Sequence, residues 1–280
     1  MENKRKGLTL IELLVVLSIM ALLVGMLIPA LKYVRNTARD AKQKAQFNTI
    51  EIALTTFRND FGDYPPSNWP LPPEVGSDYC GAQKLCEALL GWDLLGFQPE
   101  SDFRSNGYND NGVFVYDSNN PDLLSQRKGP YLELSTANAF RLGDISVYKP
   151  GLFTDTSPLA PDTYVLCDVY GFRKIKLINS QVVMAGAPIL YYRANTAEKT
   201  IRDIYNVYDN DAIVQIMQRI DNREHYLGRS TDQFQYFYDY IRDPKVSVRA
   251  WPYKADSYIL ISAGADGRYG TGDDIRNFGY

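Results

Sequence analysis

Residues 8–31 read LTLIELLVVLSIMALLVGMLIPAL, and Glu12 is the one charged side chain in this run. An α-helix rises about 1.5 Å per residue, so the run predicts a helix of roughly 36 Å, enough to cross the hydrocarbon core of a bilayer. The apolar core is longer than that of a cleaved secretory signal, and no A-x-A-like site follows it. The stretch therefore predicts a transmembrane helix. The basic residues before it, Lys4, Arg5 and Lys6, predict a cytoplasmic N-terminus.

Glu12 needs an explanation of its own, because a carboxylate within an apolar span is costly and indicates a function and a partner. The run contains no Lys or Arg, so no partner exists three or four residues away on the same helix. One interpretation is that Glu12 lies shallow enough to reach the lipid headgroups. Otherwise its partner comes from another chain, from lipid, or from an amine that processing creates.

The helical pattern continues beyond the apolar run to about Asp60. Apolar residues recur mostly at steps of three and four, which predicts one nearly continuous helix of roughly 80 Å with an amphipathic second half. Pro29 removes a backbone donor and predicts a kink or a local melting of the helix. Gly62 and the pair Pro65–Pro66 predict its end. The residues expected to face the head are Ala38, Ala41, Ala45, Ile50, Leu54, Phe57 and Phe61.

The remaining 62–280 region consists of short segments separated by turn residues. Helices are predicted over GAQKLCEALLGWDLLG, which begins at Gly81, and over AIVQIMQRI, which begins at Ala212. Strands are predicted where β-branched and aromatic residues cluster between turn signals: GVFVYD, TYVLCDVYG, APILYYRAN and DSYILISAG. The predicted fold is α+β, with a long N-terminal α-helical spine packed on an antiparallel β-sheet head.

Composition and motifs argue against several classes of function. The net charge of −3 argues against a nucleic-acid partner. The chain has no G-x-S-x-G, H-E-x-x-H or P-loop motif, and its one histidine, His225, is interpreted as an exposed surface residue, so no enzyme is expected. The aromatic cluster FQYFYDY at 234–240 is interpreted as a sheet face or a subunit interface, with a stacking platform as the alternative. Cys80 and Cys86 either pair across a short loop or stay, with Cys167, as buried free thiols.

The C-terminal stretch SAGADGRYGTGDDI, residues 262–275, combines carboxylates with flexible glycines. Hard cations such as calcium take six to eight oxygen ligands on a backbone that folds tightly around them. Asp266, Asp273 and Asp274 supply carboxylates and Ser262 a hydroxyl, but the spacing does not match an EF-hand. On spacing alone, a calcium site and a solvated turn both remain open.

The N-terminal residues KGLTLIELLVVLSIMALLVGMLIPAL resemble the class III leader of type IV pilins and type II secretion pseudopilins. Both have a short basic leader ending in Gly, a Glu at the fifth position after it, and a long apolar stretch with a Pro near its end. The resemblance implies cleavage between Gly7 and Leu8 by a prepilin peptidase and N-methylation of Leu8, where the family usually has Phe. It also implies that Glu12 pairs with the Leu8 amine of a neighbouring subunit.

The C-terminal loop resembles the calcium-binding loop of type II secretion major (G-type) pseudopilins, with S-x-G-x-D-G followed by a D-D-I-like end. This implies structural calcium, with ligands Asp266, Asp273 and Asp274 and with Ser262 as a further ligand. The expected organisation is a leader at 1–7, a membrane and filament-core helix at 8–31, an amphipathic continuation at 32–61, and a head at 62–280.

The function expected from both resemblances is that of a pseudopilin subunit of a periplasmic, pilus-like type II secretion filament. The chain would cross the bacterial inner membrane once and have a periplasmic head. Its partners would be other copies of itself, the peptidase and methylase, other pseudopilins with the inner-membrane platform, and lipid. The alternatives are a type IV pilin or minor pilin in adhesion or DNA uptake, or a membrane-anchored module that binds glycan or protein.

Overall fold

The structure, a computed structural model, describes residues 9–68, 78–145, 159–171, 173–176, 180–228 and 231–279. Helix α1 runs from Leu10 to Phe61 over 52 residues, which confirms the predicted long helix. It is helical through Pro29, so the predicted melting is not observed, and a bend at this proline stays a prediction. Gly62 ends the helix in the left-handed region, as is common for a glycine after a helix. Its φ is 84°, and its N–H donates to the carbonyl of Arg58 at 2.7 Å.

The chain divides into two compact units, and the boundary between Ala41 and Lys42 lies within α1. In the first unit, the large apolar side chains described between Leu10 and Val34 are all exposed. By length and composition this part of α1 is able to span a membrane. The second unit starts at Lys42, so residues 42–61 of α1 share a unit with residues 62–280.

Within the second unit, one face of α1 is buried. Its apolar members follow helical spacing and are Phe47, Ile50, Ala53, Leu54 and Phe57. Ala45 is exposed, contrary to the prediction, because the spacing from Phe47 and Ile50 places Gln43 on the buried face instead. The buried Gln43 side chain accepts the Val169 N–H at 2.9 Å.

Within the described part of the chain, six shorter helices follow α1: α2 (Gly81–Leu90), α3 (Pro121–Gln126), α4 (Leu142–Ile145), α5 (Ile201–Ile204), α6 (Tyr208–Asp221) and α7 (Thr231–Tyr240). The predicted helices at Gly81 and Ala212 correspond to α2 and α6. All ten residues of α2 are buried, and Gly91 follows it at φ of 91° with its N–H on the Glu87 carbonyl. A glycine with positive φ is the usual way to end a helix.

The described strands are β1 (Ala139–Arg141), β2 (Tyr164–Leu166), β3 (Arg173–Lys176), β4 (Val182–Ala185), β5 (Leu190–Arg193), β6 (Tyr258–Ser262) and β7 (Ile275–Arg276). They form three antiparallel sheets, β1–β2, β3–β4 and β5–β6–β7, and in the last Tyr191 pairs with Leu260. Three of the four predicted strands contain β2, β5 and β6. The α+β prediction is confirmed, and the arrangement is consistent with a pilin-like fold.

Two predicted features of the head are wrong for local reasons. Residues 112–117 contain turns and one isolated β-bridge, between Phe114 and Tyr108, rather than a strand, because the Asn109 side chain accepts the N–H groups of Asn111 and Val113 and closes a tight turn. The 234–240 cluster lies on helix α7, not on a sheet face. The buried residues Phe237 and Ile241 are four apart, which is the helical period.

The three cysteines are free and buried, which excludes the Cys80–Cys86 pairing in this structure. Cys80 caps α2 and Cys86 lies six residues further along. Burial raises the pKa of the Cys80 thiol to about 11. Like Cys80 and Cys86, Cys167 belongs to the apolar core rather than to a redox site.

Candidate functional site

The N-terminus of α1 holds Glu12 in a reciprocal arrangement with Thr9. The Thr9 N–H and hydroxyl both donate to Glu12 Oε2, at 2.8 and 2.9 Å, and the Glu12 N–H donates to Thr9 Oγ1 at 3.2 Å. This is a capping box, in which two otherwise unpaired helix donors are satisfied by each other's side chain. The T-x-x-E spacing that signals it is visible in the sequence, but the sequence analysis missed it.

The second carboxylate oxygen of Glu12, Oε1, has no hydrogen-bond partner among the residues that the structure describes. Glu12 therefore caps its own helix with one oxygen and retains a further acceptor. Gly7 and Leu8, the predicted cleavage and methylation residues, lie outside the described part of the chain.

The C-terminal loop between β6 and β7 collects the predicted acidic residues. Asp273 accepts the Asp266 N–H at 2.7 Å through Oδ2 and the Thr271 hydroxyl at 2.6 Å through Oδ1. Asp274 Oδ2 accepts the Gly270 N–H at 2.8 Å and the Tyr240 hydroxyl at 2.5 Å. The loop is therefore a network of carboxylates that accept hydrogen bonds mostly from its own donors.

Close packing constrains the same loop. Gly264 has φ of +63°, and a Cβ there would stand 2.2 Å from the carbonyl oxygen of Asp273. Tyr269 is buried, and its hydroxyl donates to the Pro188 carbonyl at 2.5 Å. Its N–H donates to Nδ1 of His225 at 3.3 Å. The prediction of an exposed His225 is therefore wrong, because this side chain is buried in the wall of the loop.

Burial makes two carboxyl groups in this region harder to ionise. It raises the pKa of Asp274 to about 7, and the neighbouring Asp273 charge acts in the same direction. Burial also raises the pKa of Asp168 to about 7, although the Ser262 hydroxyl donates to it at 3.0 Å. Asp168 was not predicted as a site residue, because 94 positions separate it from Ser262.

Comparison with known families identifies one end of the chain. Residues 3–28 match the family model of the prokaryotic N-terminal methylation motif. The chain carries a prepilin-type leader. No curated protein and no solved structure matches the chain. The leader and the long apolar helix fit a membrane-anchored, pilin-like protein, and the motif implies processing by a prepilin peptidase and assembly into pilus-like filaments. It points to a structural protein rather than an enzyme.

The predicted calcium site can be compared with the oxygen donors that the loop contains. The carboxylates of the loop are the right ligand type for a hard cation. Among the described residues, however, no group of three or more His, Cys, Asp or Glu side chains is placed to hold a metal ion. The Ser262 hydroxyl donates to Asp168 and accepts the Gly264 N–H at 3.3 Å. As they stand, the four predicted ligands do not form a ready-made calcium shell.

Proposed function

We propose that the chain is a pseudopilin, a structural subunit that assembles into the periplasmic filament of a type II secretion system after cleavage between Gly7 and Leu8. The observation that carries the proposal is the methylation motif at residues 3–28, together with the long helix from Leu10 to Phe61. In this proposal the chain crosses the inner membrane once, with its N-terminus cytoplasmic and its head periplasmic.

Glu12 gives this proposal a physical mechanism for assembly. Cleavage creates a cationic amine at Leu8, and the carboxylate of a neighbouring copy is its natural partner in an apolar surrounding. Oε1 of Glu12 is available for that pair while Oε2 keeps the capping box. A charge pair buried this way specifies register more than it adds stability.

Calcium binding by the C-terminal loop is the second part of the proposal. Its support is the gathering of Asp266, Asp273 and Asp274 in one tightly packed loop. Burial raises the pKa of Asp274, which opposes binding, and a bound cation would offset this by favouring the ionised form. Binding requires these carboxylates to exchange hydrogen bonds within the loop for the ion, and Ser262 to be released from Asp168 if it takes part.

The test uses the full chain in a bacterium that has a complete type II system and type IV pili. Mass spectrometry of the N-terminal peptide should show a mature chain beginning at methylated Leu8, and a Gly7 variant that the peptidase cannot process should retain residues 1–7. Deletion of the chain should abolish export of the system's secreted proteins and leave pilus-dependent adhesion and DNA uptake intact. Loss of adhesion or DNA uptake with normal export would instead assign the chain to a pilus.

A further inference from the structure

A short hairpin in the head presents a basic and apolar tip. The Asp243 N–H donates to the Trp251 carbonyl at 2.8 Å and the Tyr253 N–H to the Ile241 carbonyl at 2.9 Å, so the two arms of the hairpin are joined. Residues 244–250, between these arms, form what we call the tip loop. Its outermost apolar side chain, Val248, is 95% exposed.

The tip loop is positively charged and locally ordered. Lys245 and Arg249 are exposed, while the Asp243 carboxylate accepts the Lys245 N–H at 2.9 Å and so shapes the turn. The Arg249 guanidinium lies 3.9 Å from the centre of the Trp251 ring, a cation–π contact that holds this cation against the stem. The tip loop thus presents the cations of Lys245 and Arg249 close to the exposed side chain of Val248.

A second exposed surface of the same head has the opposite charge. Phe97 and Lys128 form two backbone hydrogen bonds with each other, each of 2.8 Å. These bonds join the two ends of residues 98–127, which we call the excursion. Four of its acidic residues are exposed: Glu100, Asp102, Asp110 and Asp122. Its one exposed base, Arg104, pairs with Asp110.

One part of this excursion combines acid with apolar surface. The Gln98 side chain donates to the Leu123 carbonyl at 3.1 Å, which brings the segment of Glu100 close to that of Asp122. Leu124 follows Asp122 by two positions in α3 and is 42% exposed. We call Glu100, Asp122 and Leu124 the acidic face. It offers an apolar side chain and two carboxylates, the complement of the tip loop.

We propose that the tip loop of one copy docks on the acidic face of a second copy. The inference rests on the proposed function, because it names the head-to-head partner within the filament. The two surfaces differ, so the contact is heterologous, and a heterologous contact that does not close into a ring propagates into a helical filament. Exposed ion pairs are individually weak. The contact therefore selects orientation and neighbour, while the apolar helices hold the filament together and the Leu8–Glu12 pair sets its register.

The test is crosslinking between full-length chains in membranes. Two differently tagged copies are produced together, one with Val248→Cys and the other with Leu124→Cys, and a short bismaleimide is added. The native cysteines are buried, so the introduced thiols should react first. A mixed dimer is expected from this pair. The control replaces Val248→Cys by Val182→Cys, which is also exposed but lies on β4, and should give little mixed dimer.

Charge reversal identifies the occupant. Lys245→Glu and Arg249→Glu are combined in the copy that carries Val248→Cys. They should lower the mixed-dimer yield at least about fivefold, because the acidic tip loop would then face the acidic residues of the other copy. Adding Glu100→Lys and Asp122→Lys to the other copy should restore the yield. Lys199→Glu, at an exposed position outside both surfaces, should change nothing.

Each result decides the proposal. Restoration by the paired reversal supports docking between copies. A loss that the paired reversal does not restore would mean that the tip loop binds another partner, such as an anionic lipid surface, and would overturn the proposal. Normal filaments without the mixed dimer would overturn it while leaving the proposed function intact. A mixed dimer in cells that form no filament would support the contact between copies and contradict the proposed pseudopilin function.

Discussion

The C-terminal loop should be far more sensitive to Gly264→Ala than to a matched change elsewhere in it. Gly264 has φ of +63°, where an L-residue is strained. Alanine in this left-handed region costs about 1–2 kcal/mol. The new Cβ would also stand 2.2 Å from the Asp273 carbonyl oxygen and 2.7 Å from its carbon, so the loop must move. Overpacking of this kind costs about 1–3 kcal/mol, and the expected loss of stability is therefore about 3 kcal/mol.

Two further glycines separate the two causes. Gly62 also has a positive φ, but a Cβ there would meet no described atom nearby. Gly62→Ala should therefore be destabilised only by the backbone strain, that is by about 1–2 kcal/mol. Gly272, in the same loop as Gly264, has neither a positive φ nor a close neighbour. The effect of Gly272→Ala should stay within about 0.5 kcal/mol.

Thermal unfolding of the full chain in detergent, followed by near-ultraviolet circular dichroism, measures all three variants. In a unit of this size, 1 kcal/mol corresponds to a shift in Tm of about 2–4 °C. Gly264→Ala should therefore lower Tm by about 6–12 °C, and Gly62→Ala by clearly less. Equal shifts for Gly264→Ala and Gly272→Ala would show that the loop does not pack around Gly264 as described.

Three further predictions concern assembly, calcium and pH. Glu12→Ala should still insert into the membrane but give a low yield of filaments by electron microscopy, and a normal yield would refute the pairing role. Calcium should raise the Tm of the full chain and chelator should reverse this; Asp273→Asn should remove the response and Asp239→Asn, on α7, should keep it. Burial lowers the pKa of His225, so the folded state binds fewer protons than the unfolded state. The contribution of His225 to stability is then fully present above about pH 6.5 and falls by up to about 1.4 kcal/mol per pH unit below it, so in thermal melts the stability of the native chain relative to His225→Gln should be lower at about pH 5.5 than at about pH 7.5.

Most of the correct predictions about the fold came from the helical spacing of apolar residues. The spacing of the apolar residues in the sequences of α1, α2 and α6 was strong enough to identify each helix. Helix α7 was missed because its run of aromatic residues is equally typical of a strand. Residues 112–117 were interpreted as a strand because GVFVYD has strand composition, whereas the Asn109 side chain accepts the Val113 N–H and closes a turn at the start of this segment.

The arrangement of the C-terminal loop could not be predicted from its residue types. Its acids are close in sequence, but spacing in a glycine-rich segment does not determine which carboxylate accepts which N–H. Asp168 and His225 contact this region from distant parts of the chain, and only tertiary packing brings them there. Their burial also reverses the simple expectation that an Asp is always ionised and a lone His is exposed.

In the proposed filament Glu12 would serve two purposes, as a helix cap and as a charge partner, and a glutamine separates them. Glutamine is as good a partner as glutamate in a capping box, because its side-chain oxygen still accepts the Thr9 N–H. It has no charge to offer the Leu8 amine of a neighbour. If capping is what assembly needs, Glu12→Gln should behave like the native chain and only alanine should fail. If the intermolecular charge pair is what matters, glutamine and alanine should fail alike, and the capping box would then serve mainly to hold the carboxylate at the end of α1 where the incoming amine arrives.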